Sequence, residues 1–518
     1  MLTKEDKKNI RHKIFNQLDG IVISYVISVL HNAGIIKYIF KKKCFNLEEI
    51  SEKYNANIAY LNVALRLLAS QGCLTYSLDN NKSAVSLKLK TNELLLHSSE
   101  YSFFIDFIKK ADFVNVFFLN NTNVKVNVVL NRLFKLKSQR VKTQIEGLLL
   151  SPLLVKLGMD KSFRMINERN PSLYQKNTGL NKTGFYFLTS LLKDMGYLTE
   201  KNCFTAEGLF YIKRSSSFGV TVSYMPTFLN LHELIFGNSN ILWEVEEGKD
   251  EIHVDRVMNV WGSGGAHSTY FKKIDEFIVS IFNKPIEDQP RGFVDVGCGN
   301  GTFIEHIFDT IYYKTKRGKV LDKNPLFVLG VDFNNAALIS AKKTLKNADI
   351  WAEFEVGDIS NPDALNSLIK KKYDIGLGDL LNVRSFLDHN RIYTAPANVD
   401  FQSTSTGAFA FRGNLIPNNR LFQNLVEHFK KWTPYLEKYG LLLLELHTLP
   451  PDLTANNIGN TVATAYDATH GFSDQYIIEL NEFIRAAKKA KLYPDEKIQA
   501  TFPNSMLPTI SINLLRGE

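Results

Sequence analysis

Three glycines at alternate positions, Gly297, Gly299 and Gly301, follow the short apolar run Phe293–Val296, which carries Asp295. Glycine there lets the backbone approach a ligand. The helical spacing of Thr302–Phe308 behind it offers free N–H groups to a carboxylate or phosphate. Two more carboxylates close apolar runs, Asp332 after Val328-Leu-Gly-Val and Asp358 after Phe354-Glu-Val-Gly. An acid at such a strand end suits the two hydroxyls of a ribose. Either aspartate alone reads equally well as a strand cap; three strand-end signals in order point to a nucleotide-type ligand. Imidazole and guanidinium gather further on, in Leu381–Tyr393, Glu445-Leu-His447 and Ala465–Tyr476. His389, His447 and His470 have the type for proton transfer or metal ligation, and Arg384 and Arg391 for a bidentate grip on a carboxylate.

The glycine spacing separates ligands. Dinucleotide-binding chains read G-x-G-x-x-G, whereas this one reads G-x-G-x-G after Asp-Val. It resembles motif I of class I S-adenosylmethionine (SAM) methyltransferases. The resemblance implies SAM as cofactor, with Asp332 on the ribose and Asp358 on the adenine amino group. The implied cofactor set is Asp295, Gly297, Gly299, Gly301, Asp332, Phe333, Asp358, Ile359 and Asp379, the last at the end of a fourth strand read at Tyr373–Leu377.

The strings Arg-Ser-Phe-Leu-Asp-His-Asn-Arg (384–391) and Tyr-Asp-Ala-Thr-His-Gly-Phe-Ser-Asp-Gln-Tyr (466–476) are more specific. They resemble the C-methyltransferases of polyketide synthases, loading-module types included, and those of 2-keto acids. The resemblance covers roughly 255–518. It implies a keto-acid or malonyl-type substrate, free or on an acyl carrier protein. It also implies a possible divalent metal (Fe, Mn, Zn or Mg) on His389 and His447, with Asp388 as a further ligand.

Carbon methylation explains such residues. A carbon nucleophile must first become an enolate, which takes a base and something positive to hold the oxyanion. His470 is the preferred proton acceptor, oriented by Asp467 or Asp474. Tyr466 or Tyr476 would stabilise the oxyanion, and His389 and Arg384 complete the catalytic set. Plainer readings stand beside these: Asp-His-Asn-Arg is a good helix-start composition for His389, and His447 reads as a satisfied core histidine. O-methylation of a small phenol is the competing enzymatic reading. A SAM-sensing winged-helix regulator is the non-enzymatic one.

The elements that must position these groups follow. From Phe293 strands alternate with helices, so the fold class is α/β: a Rossmann-like seven-stranded domain at 256–518 with an antiparallel hairpin at its end. Leu421–Leu436 reads as an amphipathic helix, Gly440–His447 as a buried fifth strand and Asp474–Lys491 as the next helix. A mostly helical region precedes the domain, divided as 1–100, a winged-helix-like module, and 101–255, a helical lid region with a second such unit. Leu67-Leu-Ala-Ser-Gln-Gly-Cys-Leu-Thr75 is echoed by Leu191-Leu-Lys-Asp-Met-Gly-Tyr-Leu-Thr199, which marks a duplication. Ser98–Leu157 reads as the lid. Val257–Phe271, with Trp261, His267 and Tyr270, reads as a cofactor lid broken by Gly262, Gly264 and Gly265.

The 518 residues are 45% hydrophobic and 22% charged, with a net charge of +9, the composition of a globular protein of two or three domains. The longest uninterrupted apolar run, near Ile21–Leu30, falls short of a membrane span. No apolar signal core follows the N-terminus, and four scattered cysteines suggest reduced thiols, so cytoplasm is expected. The helix at 57–71 carries one Arg and no Lys, too few donors for a DNA-reading element. No nucleic-acid or membrane partner is expected, and a homodimer through the winged-helix module is.

Overall fold

The computed structural model describes residues 2–79, 84–91, 93–111, 113–119, 124–244 and 251–518. The chain forms two compact units. One comprises Met1–Ala266, Ala408–Leu415 and Pro450–Asp474; the other comprises His267–Gly407, Ile416–Leu449 and Gln475–Glu518.

The first unit is mostly helical. Its longest helix, Lys4–Asn32, has 29 residues. It is long and apolar enough by composition to cross a membrane, a test the sequence reading had it fail, yet 89% of its apolar window is buried inside the protein. It packs on the helix Gln139–Met159. At the crossing a Cβ on Gly20 would fall 2.3 Å from the Gln144 backbone, and one on Gly147 2.3 Å from Gln17 O. Two glycines therefore let the helix backbones meet, which neither could do with a side chain there. Ser98–Leu157, expected as a lid, supplies the helices Ser98–Ala111 and Gln139–Met159, whose apolar residues belong to the core of this unit.

The echoed motif is a repeated helix ending. Gly72 and Gly196 have φ of 76° and 75°. In each copy the residue after the glycine donates five positions back, Cys73 N to Leu68 O at 2.9 Å and Tyr197 N to Leu192 O at 2.8 Å. This is the left-handed helix stop that glycine favours. After the first copy, Leu74–Asp79 and Ala84–Leu89 pair antiparallel, with Cys44–Asn46 on the free side of Ala84–Leu89. Their connecting turn, expected at Asp79–Asn81, lies largely outside the described residues. Around the second copy the described residues form isolated bridges, Leu198 with Phe204 and Ser172 with Cys203.

The helix Arg256–Phe282 runs straight through the three glycines expected to break it. A Cβ on Gly262 would meet Val220 N at 2.5 Å, so close backbone approach explains that residue better than a break does. The side chain of His267 lies outside the described part.

The second unit is built on seven strands: β1 (Gly292–Val296), β2 (Phe327–Asp332), β3 (Glu353–Val356), β4 (Leu381–Ser385), β5 (Leu441–Leu446), β6 (Leu492–Phe502) and β7 (Ile510–Gly517). Their order is β6-β7-β5-β4-β1-β2-β3, with β7 antiparallel to both neighbours. The order reverses between β1 and β4, the place where ligands bind at the carboxyl ends of such sheets. Leu441–Leu444 of β5 are all buried, each contributing about 2 kcal/mol by removal from water.

Strand four is not where the sequence puts it. Tyr373 ends a helix, Leu377–Asp379 is a 3-10 turn, and the strand begins at Leu381. Asn382 disguises it as a loop; its amide is buried and donates to Leu377 O and Leu380 O at 3.0 and 3.3 Å. The helix read at Asp474–Lys491 shortens to Leu480–Lys489.

Candidate active site

The glycine turn leaves β1 with φ of 84°, 53° and 80° at Gly297, Gly299 and Gly301, conformations that L side chains rarely adopt. Gly297 N and Cys298 N donate to Val331 O at 2.7 and 3.0 Å, tying the turn to β2. Gly299 faces open space, and its N–H reaches Asp332 Oδ2 at 3.0 Å. The other oxygen of Asp332 accepts from Asn334 N at 2.9 Å, so the carboxylate stands fixed at the strand end. Asp358 is exposed after β3, held by Ser360 N and Oγ at 2.8 and 2.6 Å. Phe333 is 76% exposed beside Asp332. Ile359 is half-buried, and its carbonyl accepts from Trp432 Nε1 at 2.8 Å.

Asp295 is 1% exposed, and its Oδ1 has no hydrogen-bond partner among the described residues. Burial, with the charge of Asp332 nearby, raises its pKa to about 8. A carboxyl left wanting beside a glycine turn fits a cationic ligand such as SAM. Asp379 does not belong with this set. It lies before β4, at the opposite end of the sheet, where its carboxylate accepts from Gly376 N at 2.8 Å and its carbonyl from Arg291 N at 2.9 Å. It caps its own turn.

A second group of polar residues lies at the carboxyl ends of β4 and β5. His389 sits in the turn Asp388–Asn390, with its Nδ1 2.5 Å from Glu445 Oε1 and its backbone N–H on Glu445 Oε2 at 3.2 Å. Leu446 N also donates to Glu445 Oε1, at 2.7 Å. These three N–H groups make it tolerable to bury a carboxylate that is 1% exposed. Sequence reasoning gave Glu445 no role; its signal was an acid directly after four buried leucines. Asp388 Oδ1 accepts from Arg384 Nη1 at 2.8 Å and from His428 Nε2 at 2.9 Å. Burial opposes its charge, yet Arg384, His428 and Arg391 together hold its pKa below the usual range. Burial lowers His428 to about 4, so it stays neutral.

Arg384, expected to meet a substrate, is fully buried and lies over the Trp432 ring at 3.8 Å. Arg391 donates to Asn424 Oδ1 and Asp388 O, both at 2.8 Å, and its Nη2 has no acceptor among the described residues. The metal pair fares differently. His447 shares its Nε2 with Ser511 Oγ at 2.8 Å and its Nδ1 with Ile478 O at 3.3 Å, and burial takes its pKa to about 3. Both ring nitrogens are committed within the protein, as in a satisfied core histidine. Among the described residues no group of three or more His, Cys, Asp or Glu is arranged to hold a metal ion. This donor set does not fit the expected metal.

His470 and Tyr466 fall in the first unit, on the helix Ala463–Gly471. His470 is 3% exposed, with Nδ1 2.7 Å from Tyr466 O and 3.0 Å from Thr469 Oγ1. Burial raises the Tyr466 hydroxyl to about 12. Asp467 forms a buried ion pair with Arg66. Asp474 accepts from Tyr60 Oη at 3.0 Å and Arg412 N at 2.8 Å.

Sheet order, glycine turn and strand-end carboxylates define a class I SAM-dependent methyltransferase. Residues 251–513, just over half of the chain, match the AprA MT2-like domain, and the chain belongs to that family. Residues 10–76 match the AprA N-terminal domain and 146–238 the AprA winged helix domain. No curated protein matches the sequence. Solved structures similar to it include an O-methyltransferase family 2 protein from Planctomyces limnophilus in complex with apigenin. It is 10% identical, with 98% of this chain and 95% of that one covered and a TM-score of 0.37. The mitomycin 7-O-methyltransferase MmcR is 11% identical over 96% and 94%, with a TM-score of 0.31. The CurJ carbon methyltransferase is 12% identical over 80% and 99%, with a TM-score of 0.33. Likeness at this level carries nothing about substrate.

Proposed function

We propose that this methyltransferase acts on a carbon made acidic by a neighbouring carbonyl, in a 2-keto acid or a malonyl-type acyl group, with His389 as general base. The observation that carries the reading is the contact of His389 Nδ1 with Glu445 Oε1 at 2.5 Å. A carboxylate at Nδ1 keeps the proton there, leaves the lone pair on Nε2 and stabilises the imidazolium formed when Nε2 takes a proton. Such a base is worth about 10²–10⁴ in rate. When bound, SAM supplies an electrophilic methyl group; the work left to the chain is to generate and hold the nucleophile. The buried guanidinium of Arg391, two residues from His389, supports an enolate because it offers positive charge to a developing oxyanion. No metal enters the proposal.

The test incubates the purified protein with SAM and a panel of 2-keto acids, malonyl thioesters and phenols. The expected product is one methylene heavier, with the new methyl on carbon by NMR. A methyl ether instead would move the assignment to O-methylation. His389→Gln is expected to lose turnover while still taking up SAM; undiminished turnover would remove His389 from the base role.

A further inference from the structure

Asp388 joins three elements through one oxygen. Its Oδ1 receives Arg384 Nη1 from β4 and His428 Nε2 from the helix Asn418–Trp432, while its own backbone carbonyl receives Arg391 Nη1. The next residue in the same turn is His389, whose N–H and Nδ1 are on Glu445 of β5 and whose carbonyl accepts from Tyr476 N at 2.7 Å. Arg384 and Asp388 are 0% exposed and His428 is 5% exposed. Charges buried so deeply add little stability over an apolar filling of equal volume, because desolvation consumes most of their attraction. What a shared, charge-assisted acceptor does supply is direction: two donors from two elements fix one carboxylate, and hence the turn that carries the imidazole.

We infer that His428 and Arg384 are positioning residues that act through Asp388 to hold His389 against Glu445. The inference rests on the base role of His389. Trp432 completes the device, since Arg384 stacks on its ring while its Nε1 is anchored on Ile359 O. His428 needs to be a neutral donor here. The carboxylate fixes its proton on Nε2, and burial keeps the ring from charging. No methylating chemistry falls to His428 itself; the group it touches is Asp388.

The variants are His428→Leu, which removes the donor, His428→Gln, which returns an amide N–H at similar reach, and His428→Asn, whose amide stops short. The whole chain is used, with SAM uptake by calorimetry as the control for folding. His428→Leu and His428→Asn are expected to lose about tenfold or more in kcat, because an ångström of misplacement at a reacting group costs on this scale. KM and SAM affinity should stay within about twofold, and His428→Gln should recover most of the loss. Either variant suffices where the other does not fold. Unchanged kcat in the donor-less variants, or loss of SAM affinity in step with kcat, overturns the inference. So does a His428→Gln protein as slow as His428→Leu. His389→Gln run alongside separates the two failures: if it stays active the base role itself falls, and if it alone is inactive the positioning role falls.

Discussion

His389 and Glu445 are 56 residues apart in the chain and 2.5 Å apart in the fold. The parallel pairing of β4 with β5, in which Ser385 lies beside Leu444, carries the following turn to the end of the neighbouring strand. An imidazole and a carboxylate that look unrelated in sequence thus become one proton-handling pair.

Removing the acid from that pair is expected to slow methyl transfer without abolishing it. Glu445→Gln keeps a side chain of the same shape but withdraws the negative charge that stabilises the imidazolium. Initial rates at saturating SAM should fall by about 10²-fold, within the range a general base provides. Glu445→Gln and His389→Gln together should be no slower than His389→Gln alone, since the two act as a unit.

Asp295 should make SAM affinity depend on pH. Its pKa is raised to about 8 in the free protein, so between about 4 and 8 the carboxyl holds a proton. A cationic ligand favours the ionised form, and binding then releases that proton. Affinity should therefore rise with pH up to about 8, by at most about tenfold per unit, and level off above it. Calorimetry in buffers of different ionisation enthalpy reads the released proton directly. Asp295→Asn should flatten the profile; a flat wild-type profile would show that the ligand does not draw on this carboxyl.

Gly297→Ala should weaken both fold and cofactor site. Its φ of 84° costs an L residue about 1–2 kcal/mol, and the new Cβ would lie 2.6 Å from Leu387 Cδ2. A lower Tm with reduced SAM uptake is expected, whereas Gly299→Ala meets no atom within 4 Å, bears only the strain of its φ of 53° and should lower Tm less. Thermal melts with and without SAM distinguish the two.

In the first unit, Arg66 and Asp467 form an ion pair with side chains 3% and 6% exposed. Arg66→Met takes the guanidinium from a buried carboxylate and should cost about 3–5 kcal/mol in urea denaturation. Arg66→Met with Asp467→Leu should regain much of that loss. A double variant as unstable as the single one would mean that the charges themselves hold the helices together.

Much of this protein was legible from local pattern. The glycine turn, the ends of β1, β2 and β3, the buried β5 and the paired stops at Gly72 and Gly196 all express short-range rules: a short continuous apolar run for a buried strand, left-handed glycine, an acid closing an apolar run. Tertiary structure decided the rest because the deciding contacts are remote in sequence. Asn382 hides a strand since its side-chain N–H groups meet Leu377 O and Leu380 O only once folded, and the misplaced β4 put Asp379 at the wrong end of the sheet. Gly262 sits inside a helix, where the Gly219–Val220 backbone leaves no room for a side chain. His447 becomes a core residue when Ser511 and Ile478 arrive from elsewhere in the chain, and Glu445 gains a role only when sheet order delivers His389 to it. Sequence determined which residues can turn, cap and line a strand end; which imidazole meets which carboxylate was left to the register of strands laid side by side.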